Sequence, residues 1–288
     1  MTALAGTARS AMLGPLLMAL AIMVFVAMDA SVKYLSGGYA VTQILCVRAG
    51  VALLMVLAAA GVLGWRRLRM QQPGLHALRA GLLLLSAGTF FYAFRYLPLA
   101  DAYAIAYMAP LVSTGLAALV LKEPVPRGAG LAIALGLTGV GVVLAPQLQG
   151  GALWAYGICF VGVLAYSANG VTTRRMAGGE SLLAMMLYPA IAMLTVTLPL
   201  MPWHWTAPSP ADLAVLLAIG VMWPAGSLLV VAAMRHAPVA RVAPVDYTSI
   251  VWVVLVDSLL FGLSPSFATL AGSAIIIAAC LTLLHRAR

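Results

Sequence analysis

Apolar runs about the length of a membrane crossing follow one another along almost all of this 288-residue chain. From residue 11 to residue 30, for example, Asp29 is the only ionisable side chain. About 20 apolar residues in a helix span the roughly 30 Å hydrocarbon core. Backbone groups in lipid must find partners inside the protein, which a helix provides within a single segment. Composition agrees: 64% of residues are hydrophobic and 8% charged, against about 45–50% and about 25% in soluble domains. The fold class is therefore all-α integral membrane, with no stretch left for a soluble domain. The net charge of +9 is scattered in short basic clusters between apolar runs, so it reads as a topology signal in a lipid bilayer and not as a nucleic-acid surface.

Ten helices are expected at about 12–34, 40–63, 75–97, 100–121, 128–145, 152–173, 181–200, 211–234, 239–261 and 266–285. The run after Arg9 resembles a secretory signal, but its removal would leave nine spans, so it counts as the first helix. Ser209-Pro210-Ala211-Asp212 carries a capping serine, a proline at the first helical position and an early acid. With the N-terminus cytoplasmic, Arg9, Arg66, Arg67, Arg69, Arg79, Lys122, Arg127, Arg174, Arg175, Arg235, Arg241, Arg286 and Arg288 fall on the cytoplasmic face. These are 13 of the 16 Lys and Arg residues. The expected location is a multi-pass protein of the cytoplasmic (inner) membrane with both termini cytoplasmic. Lys33 and Arg95 stand near outer ends, and Arg48 lies inside helix two. Trp203 and Trp205 in the outer loop suit an interfacial anchor better than a binding lid.

The segment 95–107, RYLPLADAYAIAY, has an echo at 235–247, RHAPVARVAPVDY. At an offset of 140, Ala93, Arg95, Pro98, Ala100 and Tyr107 match Ala233, Arg235, Pro238, Ala240 and Tyr247. Five helices per half is an odd number, so the second copy enters from the opposite side and the repeats are inverted. The expected halves are 1–146 and 150–288, joined by a linker at 147–151 within one membrane domain. Two such halves suit a carrier that closes one gate while opening the other.

The hairpin Arg95-Tyr96-Leu97-Pro98-Leu99-Ala100, the turn Lys122-Glu123-Pro124 into a Gly-rich fifth helix and their second-half counterparts resemble the drug/metabolite transporter superfamily. Within it the pattern is similar to EamA-type ten-helix exporters, and most like the YddG-type bacterial aromatic-amino-acid exporters. The likeness covers nearly the whole chain. Phe261-Gly262-Leu263-Ser264-Pro265 departs from it by lacking the acid of the Glu-Pro turn. The resemblance implies secondary transport, with export of amino acids or related small metabolites; the residues alone reach a small amphipathic solute.

Helix four places Tyr103, Tyr107, Pro110 and Thr114 on one face; helix three presents Thr89, Tyr92 and Tyr96, and helix six Tyr166, Asn169 and Thr173. Such stripes either tie helices together through their hydroxyls or line a cavity offering ring faces and hydroxyls. Ionisable groups at membrane depth cost about 2.5–3.5 kcal/mol each on insertion scales, so each needs a reason. Asp29 and Lys33 are one turn apart and Arg48 is at similar depth: they form either a structural ion pair or a gate and solute contact. Asn169 corresponds to Asp29 at the offset of 140. Asp246, between Pro244 and Tyr247, is either a solvated helix end or a carboxylate meeting an ammonium group or a proton; Asp257 reads as interfacial. The expected solute-binding set is Asp29, Tyr92, Tyr103, Tyr107, Tyr166, Asn169, Asp246 and Tyr247, with Lys33 and Arg48 as gate or ion pair. Pro110 and Pro244 are expected hinges. Gly128-xxx-Ala132 and Ala268-xxx-Gly272 favour close packing, making helices five and ten scaffold.

Cys46, Cys159 and Cys280 lie far apart in apolar runs and form neither a disulfide pattern nor a metal site. No catalytic residue, metal or cofactor is expected: GxxxxGK[ST] and HExxH are absent from the sequence, and the four histidines sit near predicted membrane ends. An intramembrane enzyme, and a channel or receptor-like scaffold, stand as the alternatives to a carrier. A single chain holding both halves is compatible with a monomer.

Overall fold

A computed structural model of the chain describes residues 2–120, 122, 129–148, 153–176, 179–237 and 239–286. The helices are α1 (Thr2–Ser36), α2 (Val41–Leu63), α3 (Pro73–Phe94), α4 (Leu99–Ala106), α5 (Ala109–Val120), α6 (Ala129–Leu144), α7 (Leu153–Met176), α8 (Leu182–Thr197), α9 (Met201–His204), α10 (Pro210–His236), α11 (Val239–Asp246), α12 (Ser249–Leu260) and α13 (Phe267–Arg286). The described residues contain no strand. Seven helical stretches are long and apolar enough to cross a bilayer, with α4 and α5 together forming one of them. The shorter apolar helices α6 and α13, and the pair α11 and α12, complete ten crossings. The Lys122-Glu123-Pro124 turn apart from Lys122, Gly128, the side chains of Arg127 and Arg241, the 147–151 linker apart from 147 and 148, and Pro238 lie outside the described residues.

The predicted helix starts have visible causes. Ser209 accepts the Asp212 amide at 3.1 Å with Pro210 in the first turn, and Ser181 accepts the Ala184 amide to begin α8 at 3.0 Å. Two predicted helices are not continuous. Helix four breaks at Tyr107–Met108 and helix nine at Tyr247–Thr248, positions that correspond at the offset of 140. Pro110 has no N–H to offer Ala106, the carbonyl one turn earlier. In both places the chain tightens: Met108 N–H bonds Ile105 O and Thr248 N–H bonds Val245 O, each at 3.0 Å and three residues back.

Contacts between helices repeat at the same offset. α1 packs on α10 as α7 packs on α3, and these are one contact made twice, because α1 corresponds to α7 and α10 to α3. α6 packs on its own counterpart α13, and α2 on its counterpart α8. The bundle is two inverted five-helix repeats around an axis of approximate two-fold symmetry. Across α6 and α13 the backbones nearly touch: a Cβ on Gly139 would stand 2.8 Å from the Gly272 carbonyl oxygen, and one on Gly272 2.6 Å from the Gly139 oxygen.

Polar contacts join the halves at both ends. At one end, called here the basic end after Arg66, Arg67, Arg174, Arg175 and Arg235, Glu180 accepts the Gln71 and Gln72 amides at 2.8 and 2.7 Å, just ahead of α3. His76 Nε2 lies 3.2 Å from the same carboxylate, and its ring meets Tyr188 edge-on at 4.7 Å. At the opposite end Gln43 donates to Thr206 O at 2.7 Å and accepts its N–H at 2.9 Å, while the Tyr39 hydroxyl donates to Asp212 at 2.8 Å. Trp203 and Trp205 are exposed there.

Gly272→Val is expected to cost about 1–3 kcal/mol through overpacking, read as a lower melting temperature in detergent; an unchanged value would show that α6 and α13 separate freely. Burial raises the Glu180 carboxyl, but the two backbone amides and His76 together outweigh it, holding its pKa below the ordinary value. A depressed carboxyl stabilises the fold above its unfolded pKa of roughly 4.3, and that share is lost as pH falls through the folded value. The melting temperature should therefore drop as the pH is lowered from about 5, with a smaller drop and a lower value at neutral pH in Glu180→Gln.

Candidate functional site

The break in α4–α5 meets the break in α11–α12. Tyr107 stacks edge-on against Tyr247, ring centres 5.5 Å apart, so each contacts its own counterpart in the other repeat. The Ser249 hydroxyl donates to Asp246 O at 2.5 Å; its oxygen therefore receives the Tyr107 hydroxyl, 2.8 Å away. Cys280 donates to Tyr107 O at 3.3 Å, and Ser167 donates to Ala109 O at 3.1 Å. Side chains from α7, α12 and α13 thus serve carbonyls at the interruptions, as a membrane interior requires.

Around this crossing lies a polar recess. Tyr103 is one turn from Tyr107, with ring centres 6.5 Å apart, and its hydroxyl donates to Asp29 at 2.8 Å. Asp29 also feels the charge of Arg48. The guanidinium of Arg48 is buried and lies between two aromatic faces, 5.2 Å from the Phe91 ring centre and 5.1 Å from that of Trp223. Asp246, exposed on the far wall, acts electrostatically on Tyr103, Tyr107, Tyr166 and Tyr247. Tyr166 is 55% exposed although it sits mid-helix in α7. One turn away, Asn169 is buried, with its Oδ1 lacking a hydrogen-bond partner. Pro110 is exposed and stands two residues beyond the α4–α5 break, while Pro244 lies inside α11.

Two expectations change. Asp29 is not paired with Lys33: among the described residues His76–Glu180 is the one ion pair within 4 Å. The Lys33 ammonium turns the other way, donating to Leu97 O at 2.5 Å and Phe94 O at 3.4 Å, the carbonyls freed where α3 ends. Tyr92 is 39% exposed, in a cluster with Tyr96 and Trp154. Asp257 is not interfacial but 1% exposed, because it accepts the Ala100 amide at 2.8 Å and so caps α4.

The same region holds residues that the sequence did not flag. Asp101, buried, accepts hydrogen bonds from the Tyr156 hydroxyl and, at 2.5 Å, from Thr269. With Lys33 and Asp257 it makes a polar plug at the end opposite the basic one, around the buried Leu97. The one signal available in the sequence was an acid in the first turn after Pro98. Asp257→Ala is expected to cost about 1.5–3 kcal/mol, the worth of a hydrogen bond to a charged group, and to open the plug. A cysteine replacing Leu97 should resist an impermeant maleimide in the parent and label in Asp257→Ala; equal labelling would remove Asp257 from the closure.

The EamA-like transporter family matches the chain twice, over residues 12–145 and 152–284. The pseudopaline exporter of Pseudomonas aeruginosa is 27% identical over 281 residues, covering 94% of this chain and 95% of its own length. The S-adenosylmethionine uptake transporter of Rickettsia prowazekii is 24% identical over 224 residues, covering 77% of this chain and 75% of its own. A solved crystal structure aligns over 95% of this chain and 98% of its own with a TM-score of 0.67 at 19% identity, a likeness of fold. With both halves matched, this chain belongs to the EamA-like transporter family, part of the drug/metabolite transporter superfamily.

Proposed function

We propose that this protein is a secondary transporter that exports amino acids or related small amphipathic metabolites across the cytoplasmic membrane by alternating access. The halves 1–146 and 150–288 exchange roles about the approximate two-fold axis, both termini are cytoplasmic, and Pro110 and Pro244 act as hinges beside the helix breaks. One observation carries the solute class. Asp29 and Arg48 act on each other electrostatically, yet no ion pair within 4 Å joins them, so neither is committed to the other and the pair suits a solute bearing an ammonium and a carboxylate. Tyr103, Tyr107, Tyr166 and Tyr247 offer ring faces that attract cations, and Asn169 Oδ1 offers an acceptor. In this reading the plug of Lys33, Asp101 and Asp257 closes one side while Asp246 faces the open one. Relatives named for export of pseudopaline and for uptake of S-adenosylmethionine fit a shared frame moving small metabolites in either direction.

Counterflow in proteoliposomes loaded with unlabelled amino acids, run with and without a pH gradient, tests this. Trans-stimulated exchange of chemically unchanged solute is expected; conversion to a product, or flux without exchange, would favour an enzyme or a channel. Asp29→Asn and Asp246→Asn should each lower exchange at least about tenfold, the worth of about 1.4 kcal/mol, while melting stays near that of the parent. Arg48→Gln should raise the half-saturating concentration of carboxylated solutes but leave that of their amides unchanged. Undiminished exchange in all three variants would place the solute elsewhere.

A further inference from the structure

Away from the recess, a crevice of about 380 Å³ opens between α2, α8 and α10. Its walls are aliphatic, Leu63, Leu183, Met186 and Leu228 among them, and its only polar side chains are Arg67, Ser181 and Arg235. These three are not scattered. Arg67 follows the end of α2, Ser181 caps the start of α8 and Arg235 stands in the last turn of α10, so all lie at the basic end. From Pro224 to Arg235 the lining runs along α10 for 11 residue steps, about 17 Å at 1.5 Å per residue. That is roughly half of a 30 Å hydrocarbon core, the depth of one leaflet.

The crevice is also built to stay open. Its floor is a small separate core of Val56, Met186 and Leu187, with Tyr188 and Trp223 packed beside it. Pro224, inside the continuous helix α10, is part of the lining and has no N–H to offer the preceding turn. Ser181 donates its hydroxyl to Arg67 O, tying the loop after α2 to α8. Leu63 and Leu228 are 52% and 50% exposed, so the apolar walls face outward from the bundle. Both arginine side chains are exposed, and neither has a carboxylate partner among the described residues.

We propose that this crevice holds one anionic phospholipid, an acyl chain lying against α2, α8 and α10 and the phosphate held between Arg67 and Arg235. Length, apolar lining and a paired positive charge at headgroup depth match that ligand at each level. A zwitterionic lipid places an ammonium beside the same arginines and is disfavoured, and basic clusters at a membrane surface attract anionic headgroups. The site couples lipid composition to the α2–α8 pair, through which the two repeats contact each other at their own counterparts.

The probe is 1-palmitoyl-2-oleoyl-phosphatidylglycerol offered in competition with the matching phosphatidylcholine, with retained lipid counted by native mass spectrometry of the purified full-length protein. One phosphatidylglycerol per chain is expected, favoured on the order of tenfold for two basic contacts. Arg67→Gln with Arg235→Gln should abolish the preference, and Leu228→Trp should fill the crevice and lower retention of either lipid with both arginines in place. Equal retention of the two lipids by the parent, unchanged preference in the double variant, or displacement of the lipid by millimolar inorganic phosphate would each overturn the proposal.

Discussion

A helix interrupted in the middle of a bilayer leaves backbone groups that water cannot serve, and this bundle contains two such interruptions placed against each other. Ser167, Ser249 and Cys280 give hydrogen bonds to carbonyls there from their side chains, with Tyr107 bonded to Ser249. The interruptions are therefore tolerable only because the two repeats meet there. Much else follows from that dependence. The tyrosines of the recess stand at that same depth, and one of them, Tyr107, is bonded to Ser249, which serves the Asp246 carbonyl.

The scaffold around the crossing is held differently. α6 and α13 touch backbone to backbone at Gly139 and Gly272, α2 packs on α8, and polar clasps join the two halves at both ends. Glu180 with the Gln71 and Gln72 amides serves the basic end, and Gln43 with Thr206 serves the other. Both scaffold pairs are self-paired across the symmetry axis. Neither half can cover its own apolar faces alone, because the partner surface of each is the equivalent surface of the other.

How much of this was legible in the sequence follows from which interactions are local. Apolar length and basic loops gave ten crossings and their alternation, since both are properties of single segments. The offset of 140 gave the pairing of Tyr107 with Tyr247 as equivalents, but not their contact, which depends on how the halves dock. Pro110 and Pro244 marked a kink near each break but not its position, because Tyr-Met and Tyr-Thr carry no turn signal and side chains on other helices sustain the interruption. Asp29 and Lys33 look like a pair from spacing alone, yet the ammonium finds a stronger claim in two carbonyls at the end of α3. Asp257 reads as a surface acid until the N-terminus of α4 is brought to it. Asp101 was missed for the same reason, its partners lying 55 and 168 residues away.

The polar plug has no mirror image. At the offset of 140, Lys33 corresponds to Thr173, Asp101 to Arg241, Asp257 to Ala117, Tyr156 to Leu16 and Thr269 to Ala129. A perfectly repeated chain would be equally content with either end shut, and its two conformations would be populated alike. Here Asp101 and Asp257 stand at one end only. In the proposed alternation a difference of about 1.4 kcal/mol already tilts such a two-state balance tenfold, so five diverged positions between the duplicated halves are enough to bias which end rests shut.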